Sequence, residues 1–333
     1  MTRLLDRPLL PSRGELLVRL DLLGVRGSTA APGPDFVRYG GHTSCVAVTA
    51  DDALVPSLVL DAGTGLRMLT ERLCGRAFEG SVVLSHLHWD HVQGLPFFAA
   101  GDRDDARVDL YVPAQDGRSG RDLLAQTLSP PAFPIAPEEL RGDWTFHALP
   151  DGVHEIEGFT VRAVDAMHKG GRTLAYRVER DGVSIAYLPD HAPAAGVSAE
   201  LLDLLRGCDL LVHDAQFLEG ERPVAVDYGH ATVQDAIALA VACEVSTLVL
   251  FHHSPARTDD ALDDIARWAP DLAPGLRVVV AREGDRIDVA REGSQIGVAR
   301  EGAQIGTAPT DPRPTPLHGG GEVLAVGAQI RPR

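Results

Sequence analysis

The stretch Ser81-Val82-Val83-Leu84-Ser85-His86-Leu87-His88-Trp89-Asp90-His91 decides how the chain is read. It begins as a short, largely apolar run, the pattern of a strand buried in a sheet, and chemically active side chains follow at once. In an extended segment alternate side chains share a face. His86, His88 and Asp90 are therefore expected to project to one side, with a turn bringing His91 round to join them. Four side chains able to ligate a metal then converge. Imidazole and carboxylate without thiolate suit zinc, manganese or iron, and spacing does not choose among them.

Further donors stand where later apolar runs give way to loops. His168 follows the run from Val161 to Met167, Asp190 follows Ala186-Tyr187-Leu188-Pro189, and His252 follows Leu248 to Phe251, with His253 beside it as a competitor. A rigid sheet commonly presents its reactive groups at such ends. Strands are expected at Leu16 to Leu22, Cys45 to Thr49, Ser81 to Ser85, Val108 to Val112, Val161 to Val164, Ser184 to Tyr187, Leu210 to Val212 and Thr247 to Phe251. Helices are expected at Leu66 to Leu73, Ala199 to Leu205, Thr232 to Cys243 and Asp259 to Trp268, with Thr232 and Thr258 as capping residues. The alternation argues for sheet layered with helix.

Composition bounds the rest. A chain of 333 residues, 44% hydrophobic and 23% charged, can bury a large core. Its longest apolar runs fall far short of the roughly 20 residues that cross a bilayer, so no membrane association is expected. The first twenty residues, broken by Asp6, Pro8, Pro11, Arg13 and Glu15, lack the apolar centre of a secretion signal, and a cytoplasmic location is expected. Cys45, Cys74, Cys208 and Cys243 form no CxxC pair and read as free buried thiols. A net charge of −16 argues against nucleic acid as a partner, because long polyanions are bound through clustered Lys and Arg. A small anionic substrate stays compatible with it, since bound cations reverse the local field.

Near the C-terminus the nine residues Val280 to Asp288 are followed by a second copy from Val289 and a third from Val298. Three such copies bury too little to stand alone. The expected organisation is an N-terminal extension over residues 1–19, a catalytic domain over 20–288, and a repeat-derived, disordered tail over 289–333.

From about Leu20 to Asp288 the chain resembles the metallo-β-lactamase superfamily, in the branch that holds RNase Z and cyclic-nucleotide phosphodiesterase-like proteins. The likeness runs through Gly24-Val25-Arg26-Gly27-Ser28, Tyr39-Gly40-Gly41-His42-Thr43-Ser44, Asp61-Ala62-Gly63-Thr64-Gly65, the HxHxDH stretch, His213-Asp214-Ala215, Gly229-His230-Ala231-Thr232 and Phe251-His252-His253-Ser254. It implies an α/β fold, the αββα sandwich of two mixed β-sheets flanked by helices. It implies two divalent metal ions, zinc ahead of manganese or iron: one held by His86, His88 and His168, the other by Asp90, His91 and His252, with Asp190 bridging. His230 would act at the scissile phosphate, oriented by Asp214, and a metal-bridging hydroxide would attack. A homodimer is usual among such proteins. The branch commonly has Ser where Ala231 stands and Asn where His42 stands.

The resemblance implies a phosphodiester hydrolase, and a small cyclic nucleotide or cyclic phosphate is the expected substrate. The alternative is tRNA 3′ processing. RNase Z carries a tRNA-gripping arm between the ligands that match His168 and Asp190, whereas only the 21 residues from Lys169 to Pro189 separate them here. Thioester hydrolysis, iron-dependent oxygen or persulfide chemistry, and a non-catalytic regulatory module are further readings.

Overall fold

The computed structural model describes residues 17–290 and 297–300. The first half of the chain contributes β1 (Leu17–Gly24), β2 (Cys45–Ala50), β3 (Leu58–Leu60), β4 (Glu79–Val83), β5 (Arg107–Pro113) and β6 (Asp143–Leu149). The second half contributes β7 (Gly152–Ile156), β8 (Phe159–Ala166), β9 (Thr173–Arg180), β10 (Val183–Leu188), β11 (Leu210–Asp214), β12 (Thr247–Phe251) and β13 (Arg277–Val280), followed by β14 (Asp285–Ala290) and β15 (Gly297–Arg300). The helices are α1 (Leu66–Arg72), α2 (Trp89–Val92), α3 (Gly120–Leu124), α4 (Ala199–Leu205), α5 (Arg222–Tyr228), α6 (Val233–Ala242) and α7 (Asp259–Trp268).

Two mixed sheets result, one of eight strands ordered β15-β14-β1-β2-β3-β4-β5-β6 and one of seven ordered β13-β12-β11-β10-β9-β8-β7. A core led by Leu20, Val46, Val48, Phe159, Tyr176, Ile185 and Phe251 fills the space between them. A second core packs α4, α6 and α7 on the outer face of the seven-stranded sheet, and a third packs α1 and α3 on the outer face of the eight-stranded one. The architecture is the expected αββα sandwich. Strands β2, β10, β11 and β12 are buried along their whole length and are accordingly mostly apolar instead of alternating.

Topology places the site. In the seven-stranded sheet β10, β11, β12 and β13 run parallel, while β8 and β9 pair antiparallel, as do β9 and β10. Strand β8 therefore points the same way as β10. The C-terminal ends of β8, β10, β11 and β12 all emerge along one edge, where open α/β sheets hold their ligands. Strand β4 of the other sheet meets them there: Leu174 donates its N–H to the Ser85 carbonyl at 2.9 Å, and Tyr176 donates its hydroxyl to the Leu84 carbonyl at 2.6 Å.

Every expected strand and helix has a counterpart, while β3, β6, β7, β9, β13, β14 and β15 and the helices α2, α3 and α5 were not among those expected. The expected domain limits differ from the structure at both ends. Strand β1 begins at Leu17, inside the expected extension, and the limit at Asp288 falls within β14, whose buried Val289 and Ala290 belong to the second repeat copy. Strand β15, at the junction of the second and third copies, then pairs antiparallel with β14 from Asp285↔Arg300 to Asp288↔Gly297. The repeat thus supplies edge strands. The remainder of the expected tail, with His318, lies outside the described residues. Cys45, Cys208 and Cys243 are buried thiols, but Cys74 is exposed. No helix among the described residues is long and apolar enough to cross a membrane.

Candidate metal centre

The HxHxDH stretch departs from the extended segment expected of it. His88 is the last extended residue, with ψ 152°, and Trp89–Val92 close into the single helical turn α2. The turn changes the side-chain period, so His86 and His88 face one way while Asp90 and His91 face another. This splits the donors into two groups.

His86, His88, His168 and Asp190 form the first, with one donor atom from each within 4.8 Å of the others. The Nε2 atoms of His86 and His168 lie 3.7 and 3.5 Å from Asp190 Oδ2, and His168 Nε2 lies 3.1 Å from His88 Nδ1. Asp90, His91, His252 and the same Asp190 form the second. Here Asp190 Oδ1 lies 3.2 Å from His91 Nε2 and 3.1 Å from His252 Nε2, while Asp90 Oδ2 lies 3.2 Å and 3.0 Å from those nitrogens. The two oxygens of Asp190 thus face different groups. Between His252 and His253 the geometry selects His252, whose φ of 56° turns it into the cluster; His253 instead donates Nε2–H to the Ala281 carbonyl at 2.9 Å.

The donors fit cations. His86 Nε2, His91 Nε2 and Asp190 Oδ1 are buried without a hydrogen-bond partner, an expense that a metal ion removes. Burial, aided by the neighbouring imidazoles, holds His86 well below the ordinary histidine range and so leaves it neutral. Burial opposes ionisation of Asp90 and Asp190, yet the facing imidazoles, chiefly His91 and His252, keep both carboxyls well below the usual range. His91 is driven the other way: against burial, Asp90, Asp190 and Asp61 raise its pKa well above normal. Its surroundings call for positive charge.

Outer contacts fix these rings. His91 Nδ1 meets Asp61 Oδ2 at 2.7 Å, and Asp61 also accepts from the Ser85 N–H (2.6 Å), the Ser85 hydroxyl (2.8 Å) and the Tyr187 hydroxyl (2.9 Å). His168 Nδ1–H donates to the Gly229 carbonyl at 2.6 Å. Gly229 has φ 81°, and a Cβ there would sit 2.6 Å from the Lys169 nitrogen, so only glycine fits. Ser28 N–H donates to Asp90 Oδ2 at 2.6 Å. In the sequence Asp61-Ala62-Gly63-Thr64-Gly65 stood as one of the stretches that carry the resemblance, and the bond from Asp61 to His91 was missed. A buried aspartate closing an apolar strand was the available signal.

His230 enters from the loop between α5 and α6. Its Nδ1 meets Asp214 Oδ2 at 2.8 Å and lies 3.9 Å from Asp190 Oδ2, and its ring stacks on His252 at 5.1 Å between centroids. Burial alone would depress its pKa, but Asp214 outweighs it and carries the imidazole up to about 9. The residue is still 7% exposed, facing a cleft of about 520 Å³ that His88, Asp90, His168 and Asp190 also line. His191, which directly follows Asp190, lies beside the centre. It is fully buried, with N–H donated to Asp214 and Nδ1 3.1 Å from His213 Nε2. His42 stays outside the cluster, bonded to Thr64, and His147 and His154 serve Asp109 and the Pro150 carbonyl.

Fold and donor set together define a hydrolase of the metallo-β-lactamase type. A family model described as a β-lactamase superfamily domain matches residues 57–253. The chain is 28% identical over 237 residues to a protein named Ribonuclease Z from Metallosphaera sedula, covering 60% of this chain and 79% of that one. It is 44% identical over 241 residues to Ribonuclease Z from Exiguobacterium, covering 59% and 78%. A solved metallo-β-lactamase fold protein, YhfI from Bacillus subtilis, superposes with a TM-score of 0.62 at 18% identity, over 82% of this chain and 100% of that one. The chain therefore belongs to the metallo-β-lactamase superfamily, in its RNase Z and phosphodiesterase-like branch. These relatives overturn the expectation, drawn from net charge, that nucleic acid is not a partner. Net charge averages over a whole surface, while a polyanion engages only the face it touches.

Proposed function

We propose that this protein is a dinuclear metal-dependent phosphodiester hydrolase that cleaves RNA. The observation that carries the reading is the Asp190 carboxylate, each of whose oxygens faces a separate set of three donors, beside the His230–Asp214 pair. Its relatives named Ribonuclease Z support RNA as the substrate. His86, His88 and His168 would hold one divalent cation, Asp90, His91 and His252 would hold the other, and Asp190 would serve both. Zinc suits these donors ahead of manganese or iron. Two such cations supply the Lewis acidity that polarises a phosphoryl oxygen and readies water for attack at neutral pH.

The remaining work falls to the chain. Asp214 fixes the His230 ring through Nδ1, leaving Nε2 as the atom that meets the phosphate or delivers a proton to the departing oxygen. Asp61 and Gly229 hold His91 and His168 in the rotations that point Nε2 inward.

A second reading, hydrolysis of a small cyclic phosphodiester, is favoured by one observation. The residues between His168 and Asp190 are almost wholly taken up by the β9–β10 hairpin, turned at Asp181-Gly182, with no inserted arm to grip a large RNA. The test is elemental analysis followed by a substrate panel of precursor tRNA, a short unstructured RNA, and 2′,3′- and 3′,5′-cyclic nucleotides. Cleavage of either RNA with metal-dependent turnover is expected. Hydrolysis of cyclic nucleotides alone would transfer the assignment to the second reading.

A further inference from the structure

Two large aromatic side chains stand exposed at the mouth of the cleft. Trp89 is 73% exposed although it lies between the donors His88 and Asp90, and Tyr228 is 58% exposed two residues before His230. Neither position is loose: Trp89 opens α2, whose Asp90 and His91 side chains are locked in the donor groups, and Tyr228 is followed by Gly229 in its obligatory left-handed turn. Leaving an indole in water forgoes the burial that normally rewards so large a side chain. Trp89 also walls a neighbouring depression of about 310 Å³, whose other sides include Val92, Phe97, Leu124 and Phe133. A mostly apolar space thus adjoins the cleft across one indole.

Charge is placed as selectively. Lysine occurs once in the sequence, at Lys169, and arginine makes up the rest of the 31 basic residues. That lysine directly follows the donor His168. Among the described residues lining the cleft it is the only lysine or arginine. Its Nζ lies 5.5 Å from the centre of the Tyr228 ring, donates to the Asp227 carbonyl at 2.7 Å, and pairs with the Asp227 carboxylate at 3.5 Å. Both partners of that pair are mostly exposed, so it is weak and gives way at little cost to a more highly charged group.

We propose that Trp89, Lys169 and Tyr228 form a nucleotide-recognition rim: the base beside the cut bond stacks on Trp89 over the apolar depression, and Lys169, held against Tyr228, receives a flanking phosphate. The proposal rests on the reading of the site as a phosphodiester hydrolase and specifies the substrate as one that carries a base. Stacking on an aromatic side chain is worth about 1–3 kcal/mol per base and is tolerant of base identity. The rim therefore recognises a nucleotide without selecting its sequence.

The test uses the zinc-loaded full chain and two short RNAs that differ only in whether the nucleotide next to the cut bond has its base. Trp89→Ala is expected to raise KM for the base-bearing RNA by roughly 5- to 150-fold with kcat little changed. Removing the base should cost the wild type the same factor, and on the base-free RNA the two proteins should converge. Trp89→Phe should restore most of the loss, and zinc content should match the wild type in both variants. Lys169→Met should raise KM and flatten its dependence on salt. An equal loss on both RNAs, or no loss on either, would overturn the rim. Nucleoside 5′-monophosphate binding separates the two readings, because Trp89 fluorescence should be quenched by it and the change should vanish in Trp89→Phe. Quenching without hydrolysis of any phosphodiester sinks the proposed activity and keeps the rim; RNA cleavage indifferent to the base does the reverse.

Discussion

Asp90 accepts the Ser28 N–H and faces His91 and His252 at once, so its loss removes a charge and an anchor together. Asp90→Ala is expected to lower bound metal and to abolish most hydrolysis of bis(p-nitrophenyl) phosphate; full activity with full metal content would refute its place among the ligands. His230 Nδ1 lies 3.9 Å from Asp190 Oδ2, its ring stacks on His252 and packs at a tilt against His168, and it is proposed to act on the phosphate and not on the cations. His230→Ala should keep metal near the wild-type level while kcat falls by about 10²–10⁴, the usual worth of a placed acid or base. Elemental analysis beside steady-state kinetics distinguishes the two. Asp61 acts at one remove, through His91, and such a carboxylate typically sustains 10- to 100-fold in metal affinity. Asp61→Asn should therefore weaken zinc binding by about that factor in a competition titration with a chromophoric chelator. At this scale much was legible in the sequence: the proposed donors stood out as a set, clustered in HxHxDH or standing where apolar runs give way to loops, and their division between two cations came from the resemblance. What escaped were groups whose part depends on rotation, such as Asp61, the Gly229 carbonyl and the buried His191–His213 pair, since no spacing rule encodes where a ring nitrogen points.

Helix α2 has four residues, too few to be stable on its own. It is clamped by the Asp61–Gly65 turn: Ala62 donates its N–H to the His91 carbonyl at 2.8 Å, and Gly94 donates its own to the Ala62 carbonyl at 2.8 Å. A Cβ on Gly94 would lie 2.0 Å from the Gly63 carbonyl oxygen. Gly94→Ala is expected to force turn and helix apart, at a cost of about 1–3 kcal/mol, and to lower both Tm and zinc content. An unshifted melting curve with full metal occupancy would show that the clamp does not set the site. Elements of this kind were the least readable. HxHxDH follows a strand and invites an extended reading, but the contacts that wind Trp89–Val92 into a turn come from Asp61–Gly65, some thirty residues earlier. Strands β6 and β7 escaped for a different reason: they are outermost strands, half exposed, and lack the continuous apolar run that announced β10 and β12.

Taken as a whole, the molecule brings donors from both sheets to one edge, His86, His88, Asp90 and His91 after β4 and His168, Asp190 and His252 after β8, β10 and β12. The cations proposed to bind there would fasten the two halves of the sandwich to each other. Chelation should lower Tm, and zinc should restore it in a concentration-dependent manner, with about 2.7 kcal/mol of stabilisation when free metal is a hundred times its Kd. Calorimetry with and without chelator checks this, and an unchanged transition would separate metal from the cohesion of the fold. The layered architecture was readable because it follows from apolar periodicity, whereas the charge balance misled about nucleic acid because it is a sum without position. Lysine usage offers the opposite lesson. With a single lysine in the chain, amine-selective labelling has one side-chain target besides the N-terminal amine, so the mass gained on brief reductive methylation becomes a direct gauge of whether the cleft mouth is covered or open.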